Sequence, residues 1–335
     1  MTWGTPTDAA TFRNWPHRVI RRGHTVRPLP PHARSLADLT FEMGDLRLSV
    51  GDYMASCRTA GLLILKDGEI ALERYGMGSG PESRRTSYST AKSMTSTLVG
   101  TALHDGAIGS LDDRCDLYLP RLRGSAYEGV TVRDVMRMCS GAGWSEEDDG
   151  QADAGRLDRA LASRRQGAVL DLACTLPRAH PQGTVFNYST VESCVLGAVV
   201  AAATGRPLAD YCAETIWEPA GMEADGYWLL ESDGGLEMGG FGVSARLRDF
   251  GRLMPGSPVG YGYHWWAPPP LPGGVNNGAF SANGHFGQFI FVNPTEQVVI
   301  AIQSAWRQPH DNDALVEIVA MIRAAVRALR TEPAS

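Results

Sequence analysis

The chain has 335 residues, 43% of them hydrophobic, and a formal net charge of -6. That length buries a substantial core in one or two domains, and the acidic balance gives no reason to expect nucleic acid as a partner. No apolar run approaches the length of a transmembrane helix, and the opening Met1-Thr2-Trp3-Gly4-Thr5-Pro6-Thr7-Asp8 has neither the basic nor the apolar region of a secretory signal.

The first strong element is a hairpin over 61–75, with Leu62-Leu63-Ile64-Leu65 and Ile70-Ala71-Leu72-Glu73 on either side of an Asp67-Gly68 turn. A helix follows over 91–104, where Met94, Leu98, Val99, Ala102 and Leu103 recur at three- and four-residue spacings and Gly106 supplies the stop. Just before it stands Ser89-Thr90-Ala91-Lys92. The chain has 29 arginines and only two lysines, Lys66 and Lys92. A desolvated lysine can lose its proton and an arginine cannot, so a lysine kept one helical turn after a serine suggests a proton acceptor. Residues three apart share a helix face, and the positive end of the helix dipole favours an oxyanion there. Ser89 therefore reads either as an activated nucleophile or as a helix N-cap, the commonest task of a serine at this position.

The middle of the chain, roughly 95–235, reads as helix-rich with long loops. It contains the acidic segment Trp144-Ser145-Glu146-Glu147-Asp148-Asp149, whose default reading is a solvated charge run. Tyr188 follows the turn signal Pro181-Gln182-Gly183 and precedes an apolar helical run over 195–203, a place where a side chain can point into a cleft. Pro268-Pro269-Pro270-Leu271-Pro272-Gly273-Gly274 reads as a rigid connector. Gly284-His285-Phe286-Gly287-Gln288 then opens a strand, and 288–292 with 297–303 form a second hairpin across Asn293-Pro294-Thr295-Glu296. The last element is an amphipathic helix with Leu315, Ile318, Val319, Ile322, Val326 and Leu329 as its apolar stripe. Early and late strands are expected to join in one antiparallel sheet with the terminal helix on one face.

In chain order Ser-x-x-Lys (Ser89, Lys92), Tyr-x-Thr (Tyr188, Thr190) and His-Phe-Gly (His285 to Gly287) resemble the three boxes of the penicillin-recognising serine hydrolases. Within that superfamily the chain is most similar to the 6-aminohexanoate-dimer (nylon oligomer) hydrolases. The likeness runs through Asn14-Trp15-Pro16-His17-Arg18, 119–130, Gly240-Phe241-Gly242-Val243-Ser244-Ala245-Arg246-Leu247-Arg248-Asp249, His264-Trp265-Trp266 and His285-Phe286-Gly287-Gln288. It implies an α+β, β-lactamase/transpeptidase-like fold: a sheet domain flanked by helices, from 1–94 and 236–335, with an inserted mainly helical domain at 95–235 and the site in the cleft between them.

The same resemblance implies Ser89 as the acylated nucleophile, Lys92 as its proton acceptor and Tyr188 as the hydroxyl that carries the proton to the leaving group. The backbone N–H groups of Ser89 and Gln288 would form the oxyanion hole. Trp144, Asp148, Thr190, His285, Phe286 and Gly287 are then expected to line the substrate. The implied activity is hydrolysis of small amides or esters through an acyl-enzyme. The alternatives are β-lactamase or acyltransferase chemistry, or a catalytically idle member of the fold that binds a ligand.

Departures from the pattern narrow this. Class C β-lactamases have Tyr-x-Asn and Lys-Thr-Gly where this chain has Thr190 and His285-Phe286-Gly287. An imidazole and a phenyl ring clamp a β-lactam carboxylate poorly, which argues against antibiotic hydrolysis as the main task. The histidine also stands one place earlier than in the nylon-oligomer hydrolases, and Met254-Pro255-Gly256-Ser257-Pro258 replaces a longer connection. No metal spacing or cofactor motif is present. The six cysteines (Cys57, Cys115, Cys139, Cys174, Cys194, Cys212) read as buried thiols of a cytoplasmic protein. The expected partners are a small-molecule amide or ester and, among macromolecules, at most a second copy in a homodimer, with no nucleic acid and no membrane.

Overall fold

A computed structural model describes residues 11–147, 152–252, 263–268 and 274–330. Its strands are β1 (His17–Ile20), β2 (Thr40–Met43), β3 (Leu46–Ser49), β4 (Thr59–Lys66), β5 (Glu69–Tyr75), β6 (Arg85–Thr86), β7 (Gly226–Leu229), β8 (Val243–Ala245), β9 (Phe280–Gly284), β10 (Gln288–Asn293) and β11 (Val298–Ser304). The main sheet has the order β5-β4-β11-β10-β9, and all four pairings are antiparallel. Chain from both ends of the sequence thus meets in one sheet, as expected.

The continuous apolar runs of β4 and β10 follow from burial on both faces. Leu63, Leu65, Ile290 and Val292 face a core shared with the helices of the middle segment. Leu62, Ile64, Phe289 and Phe291 face the terminal helix, Asn312–Leu329, on the other side. Between β4 and β5 both turn residues take left-handed backbone, Asp67 at φ 53° and Gly68 at φ 79°, the geometry of a tight hairpin that follows the strand twist.

Two expectations need correction. Leu315 and Val319 of the terminal helix are exposed, at 39% and 37%, and the buried face runs through Ala314, Ile318, Met321, Ile322, Ala325 and Val326. Large apolar residues suggest one stripe, whereas small alanines let this helix lie close to the sheet on another. Inside the segment expected to be helical, β7 pairs with β1 and β8 in a second, four-stranded sheet, β1-β7-β8-β6. The other described residues of 95–225 are helices and loops around the Thr190–Thr204 helix. That helix is buried along most of its length, which explains its apolar composition on every side. Among the described residues no single helix is long and apolar enough to cross a membrane.

Candidate active site

Ser89 sits at the head of the Thr90–His104 helix with helical backbone (φ -67°, ψ -7°), and its side chain makes no capping hydrogen bond. The two sequence readings separate here. A capping serine takes extended backbone and turns its oxygen onto the first-turn N–H groups, whereas Ser89 Oγ lies 2.8 Å from Lys92 Nζ. The preceding Tyr88 has φ 44°, uncommon for an aromatic residue, which bends the chain sharply into the helix.

Lys92 is 2% exposed. Besides Ser89 it reaches Thr190 Oγ1 at 3.0 Å and the Gly240 carbonyl at 2.9 Å. The Tyr188 ring centre lies 4.9 Å from the same nitrogen, so the cation also rests on an aromatic face. The Tyr188 hydroxyl has no hydrogen-bond partner among the described residues. Three parts of the chain far apart in sequence therefore converge on one amine.

Thr190, expected against substrate in the asparagine place, is buried and faces Lys92. Its hydroxyl donates to Glu146, whose carboxylate also accepts the Thr190 N–H at 3.1 Å and the Trp144 indole N–H. Glu146 is therefore no member of a solvated run, while its neighbour Glu147 is exposed. Trp144, also expected on the cleft wall, is packed in the core at 7% exposure with its N–H committed to Glu146. Asp148, expected at the cleft mouth, lies outside the described residues. Alternation along extended chain puts residues two apart on one side, so Trp144 and Glu146 could have been separated from Glu147 in the sequence on that ground.

The His285–Gly287 turn joins β9 to β10. Gly284 lies between the two expected oxyanion donors: a Cβ built on it would stand 3.2 Å from the Ser89 nitrogen, 3.2 Å from Gln288 Cβ and 2.5 Å from the Ser87 carbonyl. The Gln288 side chain is buried and donates to the Ser304 carbonyl at 2.7 Å. Phe286 takes φ 59° and tilts over Tyr88 at 5.2 Å, and His285 packs edge-on against His310 at 4.7 Å. Burial pushes the Tyr88 hydroxyl up to about 12, so it stays protonated near neutral pH.

Beneath the site, His264 is buried with Nδ1 3.2 Å from the Lys92 carbonyl. Burial lowers its pKa to about 4 and keeps the ring neutral. Ser93 and Ser96 of the serine helix donate to the carbonyls of His264 and Tyr263. The His264-Trp265-Trp266 stretch thus braces that helix. Trp266 emerges 38% exposed with its ring 6.2 Å from that of Tyr188, and Val185 and Phe186 are exposed at 38% and 49%. Among the described residues no cluster of three or more His, Cys, Asp or Glu could hold a metal.

A 6-aminohexanoate-dimer hydrolase of Paenarthrobacter ureafaciens is 25% identical over 337 residues, covering 88% of this chain and 83% of that protein. Among solved structures, a Bacillus anthracis protein provisionally named a 6-aminohexanoate-dimer hydrolase superposes with a TM-score of 0.81 at 19% identity, over 96% of each chain. EstCE1, a hydrolase with promiscuous acyltransferase activity, superposes at 0.61 and 16% identity, over 82% of this chain and 96% of that one. The architecture is accordingly the β-lactamase/transpeptidase-like α+β fold. The Beta-lactamase family model matches residues 46–254, well over half of the sequence and including Ser89, Lys92, Tyr188 and Thr190, and the chain belongs to that family.

Proposed function

We propose that the protein is a serine hydrolase that cleaves small amides or esters through an acyl-enzyme on Ser89. The observation that carries this is the 2.8 Å approach of a buried lysine amine to a serine oxygen that caps nothing. The amine stands one helical turn from the serine oxygen, within reach of its proton. The site would lie between the sheet part, which supplies Ser89 and Gln288, and the helical part, which supplies Tyr188, Thr190 and Glu146.

In the reaction, Ser89 Oγ passes its proton to Lys92 Nζ and forms a bond to the substrate carbonyl carbon. The carbonyl π pair moves onto oxygen, where the backbone N–H groups of Ser89 and Gln288 receive it. Collapse restores the C=O bond and expels the amine or alcohol, which leaves with a proton passed from Lys92 through the Tyr188 hydroxyl. Water then gives a proton to the same pair and bonds to the acyl carbon, the carbonyl pair moving onto oxygen again; collapse restores the C=O bond, breaks the bond to Ser89 Oγ, releases the acid and returns the proton to Ser89. An acceptor amine in place of water gives acyl transfer by identical steps.

The exposed Val185, Phe186 and Trp266 beside Tyr188 favour substrates with an apolar or aliphatic portion next to the scissile bond. Parallel assays with short p-nitrophenyl esters, linear aminohexanoate oligomers and nitrocefin test the reading. Turnover of the first or second class, lost in Ser89→Ala together with a fluorophosphonate adduct on the Ser89 peptide, is the expected result. Activity that persists in Ser89→Ala would overturn it.

A further inference from the structure

Lys92 Nζ has three oxygen neighbours, Ser89 Oγ, Thr190 Oγ1 and the Gly240 carbonyl, at 2.8, 3.0 and 2.9 Å. A neutral amine has two N–H groups and one lone pair. The Gly240 carbonyl can only accept, so it fixes one N–H. The Thr190 hydroxyl could do either, and its choice decides where the lone pair points. If it accepts from Lys92, both N–H groups are taken and the lone pair is left for Ser89. If it donates to Lys92, the lone pair is consumed there and Ser89 faces an N–H that cannot take its proton.

Glu146 makes that choice. Its carboxylate is acceptor-only when ionised, and the Thr190 hydroxyl donates to one of its oxygens. The other oxygen receives the Thr190 N–H and the Trp144 indole N–H. Three donors thus converge on the group, a set that an amide with one acceptor oxygen does not satisfy.

We propose that Glu146 is a positioning residue that orients the base: by holding the Thr190 hydroxyl proton it makes Thr190 an acceptor towards Lys92 and aims the Lys92 lone pair at Ser89. Glu146 touches neither Ser89 nor Lys92 through any hydrogen bond among the described residues, and acts through Thr190. The asparagine expected at that place brings a fixed carbonyl oxygen as acceptor. A threonine has a rotatable hydroxyl, and Glu146 supplies the missing direction. The inference rests on Ser89 being the nucleophile.

The test is the rate at which a fluorophosphonate labels Ser89, which reads activation of the serine whatever the natural substrate is. In Glu146→Gln the amide turns an N–H towards Thr190 and reverses its hydroxyl, so labelling should slow by roughly tenfold or more, a part of the roughly hundredfold or more that a positioned base contributes. Thr190→Val should slow it comparably, and Thr190→Ser should recover most of that loss. The double variant Glu146→Gln/Thr190→Val should be no slower than either single one, because both remove the same orientation. Thermal unfolding of each variant accompanies the rates. Additive losses, or losses that track the melting temperature and vanish when corrected for the folded fraction, would overturn the positioning role. Normal labelling in Glu146→Gln would overturn it while leaving Ser89 as nucleophile. Absence of label on Ser89 in the wild type would bring down the functional reading and this inference together.

Discussion

Arginine keeps its charge at any pH a folded protein meets, so Lys92→Arg separates a base from a point charge. The variant should lose turnover of an ester substrate as completely as Lys92→Ala, by about a hundredfold or more, and steady-state kinetics on a p-nitrophenyl ester would show it. Near-normal turnover in Lys92→Arg would require a different base. At this scale the sequence is informative where a residue is scarce: of only two lysines among so many arginines, Lys92 is the one that stands one helical turn after a serine. It is less direct for Glu146, which stands in a run of four acids and is set apart from Glu147 only by its two-residue spacing from Trp144. Trp144 misleads for a related reason, since an aromatic in a loop near a cleft can equally be the anchor that holds the loop.

Elements bring these residues together through close backbone approach. Gly284 ends β9 against the turn that carries Ser89, and a methyl group there would stand 2.5 Å from the Ser87 carbonyl. Gly284→Ala must push strand and turn apart by several tenths of an ångström, which displaces both expected oxyanion donors. The variant should lose kcat by roughly tenfold to a hundredfold, up to the low end of what removing one donor costs, with a smaller effect on KM. Unchanged kcat would mean that the turn shifts freely and that the spacing of the two N–H groups is not critical.

Glu192, in the first turn of the Thr190–Thr204 helix, is 1% exposed, and burial pushes its carboxyl up to about 8. It takes a hydrogen bond from Ser140. The folded form holds this proton up to about pH 8, whereas the unfolded chain releases it near 4.5. The contribution to stability is therefore full below about pH 4.5 and declines as pH rises to about 8, by a few kcal/mol in all. Urea unfolding at pH 5 and pH 8 should show a steeper loss for wild type than for Glu192→Gln, which has no proton to release. Parallel pH profiles for the two proteins would rule this out.

For the molecule as a whole, both hairpins, the serine helix and the single sheet that joins early to late strands are legible in the sequence, because period and turn chemistry act locally. The second sheet is not, since β1, β6, β7 and β8 are four residues or fewer and draw their stability from distant partners, as His17 does from Leu229. The rotation of the terminal helix is equally hidden, because alanine is apolar enough for either face and only packing distance decides. The candidate site divides the same way, with boxes read from sequence and the contacts between boxes supplied by the fold.

Those contacts set a clock on maturation. The amine of Lys92 is bound to Thr190 and Gly240, 98 and 148 positions further along the chain, and a fold that depends on such long-range contacts completes more slowly than a hairpin or a helical turn. A chain diluted from denaturant should recover helical circular dichroism first and the capacity to be labelled at Ser89 later, as a separate and slower phase. Newly made copies would then pass through a compact interval in which the serine is inert, so the molecule gains its reactivity only after the surrounding chain has closed over it.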